Sequence, residues 1–307
     1  MDNISSDPFL SGYTYRSMAN QAICDVSDTQ HMRNVRHGIR PENVIDGEIL
    51  YVTGNQAKRF FTEIAPNINV DFSVITAQWD FGPDQSFVHL MPEKLTEWWT
   101  INCHVDHPKI KAIPLGLQNL HWGRDGNVQS SPHTYKKFRD QDKSKFMIAS
   151  FSVDNNPLER NRCVEIAKAV GSDFRMFQKH NRQDENYVLD YFNQVSQYKF
   201  VLCPWGGGID THRLWESLYL GAMPIVERGA GMDRTFHKLP VLLVDDYIEL
   251  STLGVRQAYL QALYIANDHG WEYERLTKQY WVDLIRNVSH SRSASVLQEK
   301  HPIVDNN

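Results

Sequence analysis

The chain has 307 residues, 41% hydrophobic and 22% charged, with a formal net charge of −5. That length supports a large core in one big domain or two ordinary ones, and no basic excess points to a nucleic-acid partner. No run reaches the roughly 18 apolar residues of a membrane span, and the first twenty residues lack the basic and apolar regions of a secretory signal, so a soluble cytoplasmic protein is expected. Cys24, Cys103, Cys163 and Cys203 are too far apart for a metal-ligand motif and too few for a disulfide scaffold, and are expected to be reduced thiols.

The first forty residues show no clear periodicity, and the first strong strand is EILYVTG at 48–54. NQAKRFFTEI at 55–64 reads as helix, and DFSVITAQWD at 71–80 as a strand closed by the loop FGPDQS. The Trp-rich EKLTEWWTINC at 93–103 is expected to be helical and KIKAIPLGLQ at 109–118 to be a strand. Residues 123–145 are polar without an apolar run, which marks a linker. Beyond it the alternation restarts with strand KFMIASFSV (145–153), helix NPLERNRCVEIAKAV (156–170) with Pro157 in its first turn, and strand DFRMFQ (173–178). Helix ENYVLDYFNQVSQ (185–197), strand YKFVLCP (198–204), helix THRLWESLYLG (211–221) and strands AMPIVE (222–227) and PVLLVDD (240–246) follow. The tail from 258 to 290 reads as long and helical. Short strands alternating with helices imply parallel sheets, hence an α/β protein of two tandem domains, 1–140 and 141–270, with 271–307 packing back across them. Ligands of such sheets bind beyond the carboxyl ends of the strands, here in the cleft between the domains.

The most informative stretch is CPWGGGIDTHRLWE at 203–216. Three glycines close a buried strand and let a ligand approach the backbone. A helix begins near Asp210 or Thr211, and its free amides make an anion site. Arg213 in the first turn can grip phosphate oxygens in a fork, and Glu216, three residues on, can accept from vicinal ribose hydroxyls. The set fits a nucleoside diphosphate. It matches neither the dinucleotide glycine pattern nor a P-loop. The plain alternative is an architectural turn whose Arg213 and Glu216 form a local ion pair.

YKFVLCPWGGGIDTHRLWESLYLGAMPIV (198–226) resembles the donor-binding segment of exostosin-like glycosyltransferases; LPVLLVDDYIEL (239–250) and WWTINCHVDHPKIKAIPLGLQNLHW (98–122) are similar to further blocks of that family. The likeness touches both halves of the chain and is nearest to the small soluble type of large algal viruses. It implies a GT-B fold of two Rossmann-like domains and inverting transfer of a sugar, with UDP-xylose the favoured donor, to a glycan hydroxyl. No cofactor or metal is implied. Carried over by position, the donor residues are Gly207, Gly208, Ile209, Asp210, His212, Arg213 and Glu216, joined by Ser152, Asn155 and Arg160 after the first strand of the second domain. Arg213 and the neighbouring amides stabilise the leaving diphosphate. Asp80 is the favoured general base, with Asp84, Asp106 and His121 as alternatives. Asp84, His121 and Trp205 are the expected acceptor contacts; Trp79, Trp122 and Trp205 can each stack on a sugar ring, and Trp205 is the best placed of the three. Asp245 and Asp246 read as helix-capping residues, not metal ligands. A nucleotide-sugar epimerase and a non-catalytic nucleotide-sugar-binding protein are the competing readings.

Overall fold

A computed structural model describes residues 9–24, 36–80, 82–118, 132–176 and 184–287. The first unit contains α1 (Gly12–Arg16), β1 (Gln21–Ile23), β2 (Arg36–His37), β3 (Glu48–Thr53), α2 (Ala57–Arg59), β4 (Phe72–Ala77), α3 (Gln85–Val88), β5 (Leu95–Thr100) and β6 (Ile110–Ala112). The second contains α4 (Pro132–Arg139), β7 (Lys145–Phe151), α5 (Pro157–Ala169), β8 (Asp173–Met176), α6 (Glu185–Val195), β9 (Tyr198–Leu202), α7 (His212–Tyr219), β10 (Met223–Glu227), α8 (Asp233–Phe236), β11 (Leu242–Val244), α9 (Glu249–Leu253) and α10 (Val255–His269). Residues 278–287 form a further helical stretch.

Two sheets result, ordered β2-β1-β3-β4-β5-β6 and β11-β10-β9-β7-β8, and every strand pair in both is parallel. The fold is therefore α/β with two Rossmann-like parallel-sheet units, as the alternation of strands and helices implies. The central strands of the first sheet are buried on both faces, as parallel strands covered by helices are: β3 and β4 are buried at all six positions each.

Three sequence expectations change. Residues 95–100 are a strand, not part of a helix. Trp98 and Trp99 are adjacent in sequence and face opposite sides of the sheet, yet both are buried, so no alternation marks them. β1 and β2 widen the first sheet from a region without visible periodicity, because strands of three and two residues are too short to show one. The stretch read as linker contains α4, which packs on the second unit: Tyr135 stacks at 4.8 Å on Phe192 of α6 and at 5.7 Å on Tyr219 of α7.

Candidate active site

In the second sheet β7 leads to β8 on one side and to β9 on the other, so the strand order reverses between β7 and β9. A parallel sheet opens a crevice at that point, beyond the carboxyl ends of the two strands. β7 there runs into Ser152 and β9 into Cys203–Gly208. Arg160 of α5 closes the crevice from below. It is buried, and its Nε donates to Trp205 O at 2.9 Å and its Nη1 to Ser152 O at 2.6 Å. These bonds join the β7 and β9 loops. The Arg160 guanidinium lies 5.8 Å from the Phe151 ring centroid, and that of Arg213, also buried, lies 5.9 Å from the same ring. Two cations thus converge on one aromatic ring at the switch point, a charge concentration that suits a polyanion.

α7 starts there, with Thr211 as its N-cap residue in extended conformation. The Thr211 hydroxyl makes no capping bond and is buried without a partner among the described residues. Arg213 occupies the first turn. Glu216 stands one turn on, half-buried, and accepts from the Tyr191 hydroxyl at 3.3 Å. Ser152 is buried and donates to Asp154 Oδ2 at 3.1 Å, whereas Asn155 lies exposed on the same loop.

The glycines face the first unit. The Asp80 carboxylate stands where a side chain on residue 207 would be, and the Asn102 amide fills the corresponding space at Gly208. Both partners follow carboxyl ends of the first sheet, Asp80 after β4 and Asn102 after β5. The structure therefore brings Asp80, expected from sequence, against the turn that carries Gly207, Gly208 and Arg213.

Three expected donor residues have other contacts. Asp210 is buried, and its carboxylate accepts from Leu115 N at 2.8 Å and from the Trp215 indole at 2.9 Å, while its own amide donates to Asn102 Oδ1 at 2.9 Å. Burial pushes its carboxyl up to about 7 despite those donors. His212 bonds through Nδ1 to Gly116 O at 2.8 Å; a carbonyl only accepts, so Nδ1 carries the proton. Ile209 is buried and would touch any side chain placed on Gly229. Asp210 and His212 thus tie the second unit to the 115–116 loop of the first, because the chain leaving the glycines turns toward that loop.

The acceptor-side residues also divide. Asp84 caps α3, accepting from Ser86 N at 2.9 Å and from the Ser86 hydroxyl at 2.5 Å, and these bonds hold it below the usual carboxylate range. That is a capping role where an acceptor contact was expected. Asp106 is ion-paired with Arg234 at 2.6 Å. Trp205 is half-buried, packed beside Gly229 and edge-on to His104 at 6.4 Å. His121 and Trp122 lie outside the described residues.

His104 is the residue at the junction of the two units that the sequence does not announce. It is exposed after β5, its amide donates to Pro83 O at 3.2 Å, and its ring faces Trp205 across the units. Neighbouring atoms partly desolvate the ring despite its exposed edge, which lowers its pKa against the opposing Asp84 charge, so the imidazole is mainly neutral at pH 7. Asp245 and Asp246 behave as turn residues: Asp246 accepts from Ile248 N at 2.7 Å, and Glu249 accepts from both of their amides at 2.9 Å. The described residues contain no cluster of three His, Cys, Asp or Glu placed to hold a metal ion, and no helix among them is long and apolar enough to cross a membrane.

The chain matches no protein-family model and no curated protein. Among solved structures it is similar to a crystal structure of an α1,3-fucosyltransferase, 13% identical, with 83% of this chain and 81% of that one covered and a TM-score of 0.44. At that similarity a functional reading rests on the site itself.

Proposed function

We propose that the chain is an inverting glycosyltransferase that moves a sugar from a UDP-sugar, with UDP-xylose as the favoured donor, to a hydroxyl of a glycan acceptor. The observation that carries this reading is the meeting of Asp80 with Gly207 across the two units. A carboxylate from one sheet stands over a glycine turn backed by two buried guanidinium groups of the other. That pairing supports the reading of Asp80 as a proton acceptor beside an anion site, the two groups that one-step displacement at a sugar phosphate requires.

In that reading the diphosphate lies along Gly206–Gly208 and the α7 amides, with Arg213 as its charged partner and Glu216 toward the ribose. Asp80 takes the acceptor proton as the hydroxyl oxygen bonds to the anomeric carbon. The bond from that carbon to the phosphate oxygen breaks, and UDP leaves with the electron pair. Arg213 and the amides hold the growing charge, so no metal is needed.

The test is calorimetry with UDP and a panel of UDP-sugars on the wild type, Arg213→Ala and Arg213→Lys. Lys keeps the charge and loses the planar fork. Binding by the wild type that falls at least ten-fold in both variants, with transfer unaffected by EDTA, supports the reading. Absence of nucleotide binding by the wild type overturns it, and activity that requires manganese overturns the metal-free step.

A further inference from the structure

The turn that carries Asp80 contains a costly arrangement. Gln78 and Trp79 follow β4 with φ of 57° and 66°, and Asn102 after β5 has φ of 50°. No other non-glycine residue among those described has a positive φ. Asn tolerates the left-handed region, but an aromatic residue there is an outlier held in place by its surroundings. Such strain collects where a fold must aim a particular side chain. Trp79 is also 64% exposed, although a tryptophan ordinarily gains most from burial. Beside it the Gln78 Oε1 atom is buried without a partner among the described residues. Strain, an exposed indole and an unsatisfied acceptor coincide in two residues, and no feature of the fold uses any of them.

We propose that Trp79 is a stacking platform for the acceptor, and that the unit receiving the new bond is a pyranose presenting a face of axial C–H groups. The proposal rests on the glycosyltransferase reading for the identity of Asp80 as base. Trp79 is the residue next to Asp80 and its indole is exposed, and in this proposal the ring of a sugar whose hydroxyl meets Asp80 lies on that indole. The negative face of the indole attracts the partly positive C–H groups of such a ring. The indole then holds the acceptor in the plane that brings one hydroxyl to Asp80. Exposure and strain are the conditions under which that face stays open to a ligand.

The experiment is saturation-transfer NMR with p-nitrophenyl β-xylopyranoside, β-galactopyranoside and α-mannopyranoside, with and without UDP, on the wild type, Trp79→Phe, Trp79→Ala and Trp79→Gly. The expected result is transfer concentrated on the axial protons of at least one pyranoside. Binding is partly kept in Trp79→Phe and at least ten-fold weaker in the other two, with UDP affinity unchanged throughout. Because glycine accepts the positive φ, Trp79→Gly should melt at a higher temperature than the wild type while losing the sugar, so weak binding there does not come from misfolding. Equal pyranoside binding by wild type and Trp79→Ala overturns the proposal, as does a parallel loss of UDP affinity, which moves Trp79 to the donor side. Pyranoside binding lost in Trp79→Ala supports the platform even if UDP fails to bind, and that failure counts against the donor reading alone.

Discussion

At Gly207 the second unit omits a side chain, and the first fills the space with the Asp80 carboxylate. The two residues were legible separately: one as a glycine beside an arginine turn, the other as the last residue of a strand. Their contact was not, because the 126 residues between them carry no sign of it. The contact makes Asp80→Asn informative. Asn keeps the size and loses the proton affinity, so UDP binding should persist while transfer falls by about two orders of magnitude or more. Single-turnover kinetics beside calorimetry separate the two quantities. Full transfer in Asp80→Asn would move the base to His104, whose neutral ring faces the same cleft. Nothing in the sequence around His104 marks it. Only the fold of the β4 and β5 loops, with residue 82 lying against His104, brings it forward.

Among elements, the turn into α7 does two jobs that sequence reasoning merged into one. Gly207 and Gly208 make room for Asp80 and Asn102 and Arg213 packs on Phe151, whereas Asp210 and His212 bond the 115–116 loop of the first unit. The pattern of polar residues after the glycines was visible, but which side each faces depends on the second unit's approach to the 115–116 loop. Asp210 also sets a pH dependence. Its carboxyl titrates near 7 when folded and near 3.8 when exposed, so the folded state binds the proton more tightly. The stabilisation is full below about pH 4 and is lost as pH rises toward 7, at up to about 1.4 kcal/mol per pH unit. Asp210→Asn cannot titrate and offers its amide to groups that themselves donate. It should be less stable than the wild type in acid, with the gap narrowing between pH 4 and pH 7. Urea titrations at intervals across that range check this, and a constant gap would refute it. Two of the misread elements share one physical cause. β5 and α4 are decided by what covers them: β5 is buried on both faces, and α4 meets α6 and α7 through Tyr135 amid a basic sequence.

For the whole molecule, the sequence showed two α/β halves, since alternating strands and helices leave few other arrangements. What it could not show is how the halves are joined. Phe9 stacks on Tyr219 at 4.3 Å and on Tyr135 at 5.2 Å. The Tyr219 hydroxyl accepts from Leu10 N at 3.3 Å and donates to Leu276 O at 2.8 Å. Residues from near both ends of the described chain therefore meet on the last residue of α7, and one continuous apolar cluster runs from Trp98 of the first sheet through Tyr219 to Trp281. We expect the two halves to melt together, giving one calorimetric transition whose van't Hoff and calorimetric enthalpies agree; two resolved peaks would show that the shared cluster is too weak to couple them. Tyr219 closes the same eight-residue helix whose first turn carries Arg213. A helix so short has no slack between its ends. Whatever loosens residues 9–10 or 276 is felt at Arg213, so on the proposed function proteolytic trimming at either end should appear first as weakened UDP affinity, before any loss of secondary structure.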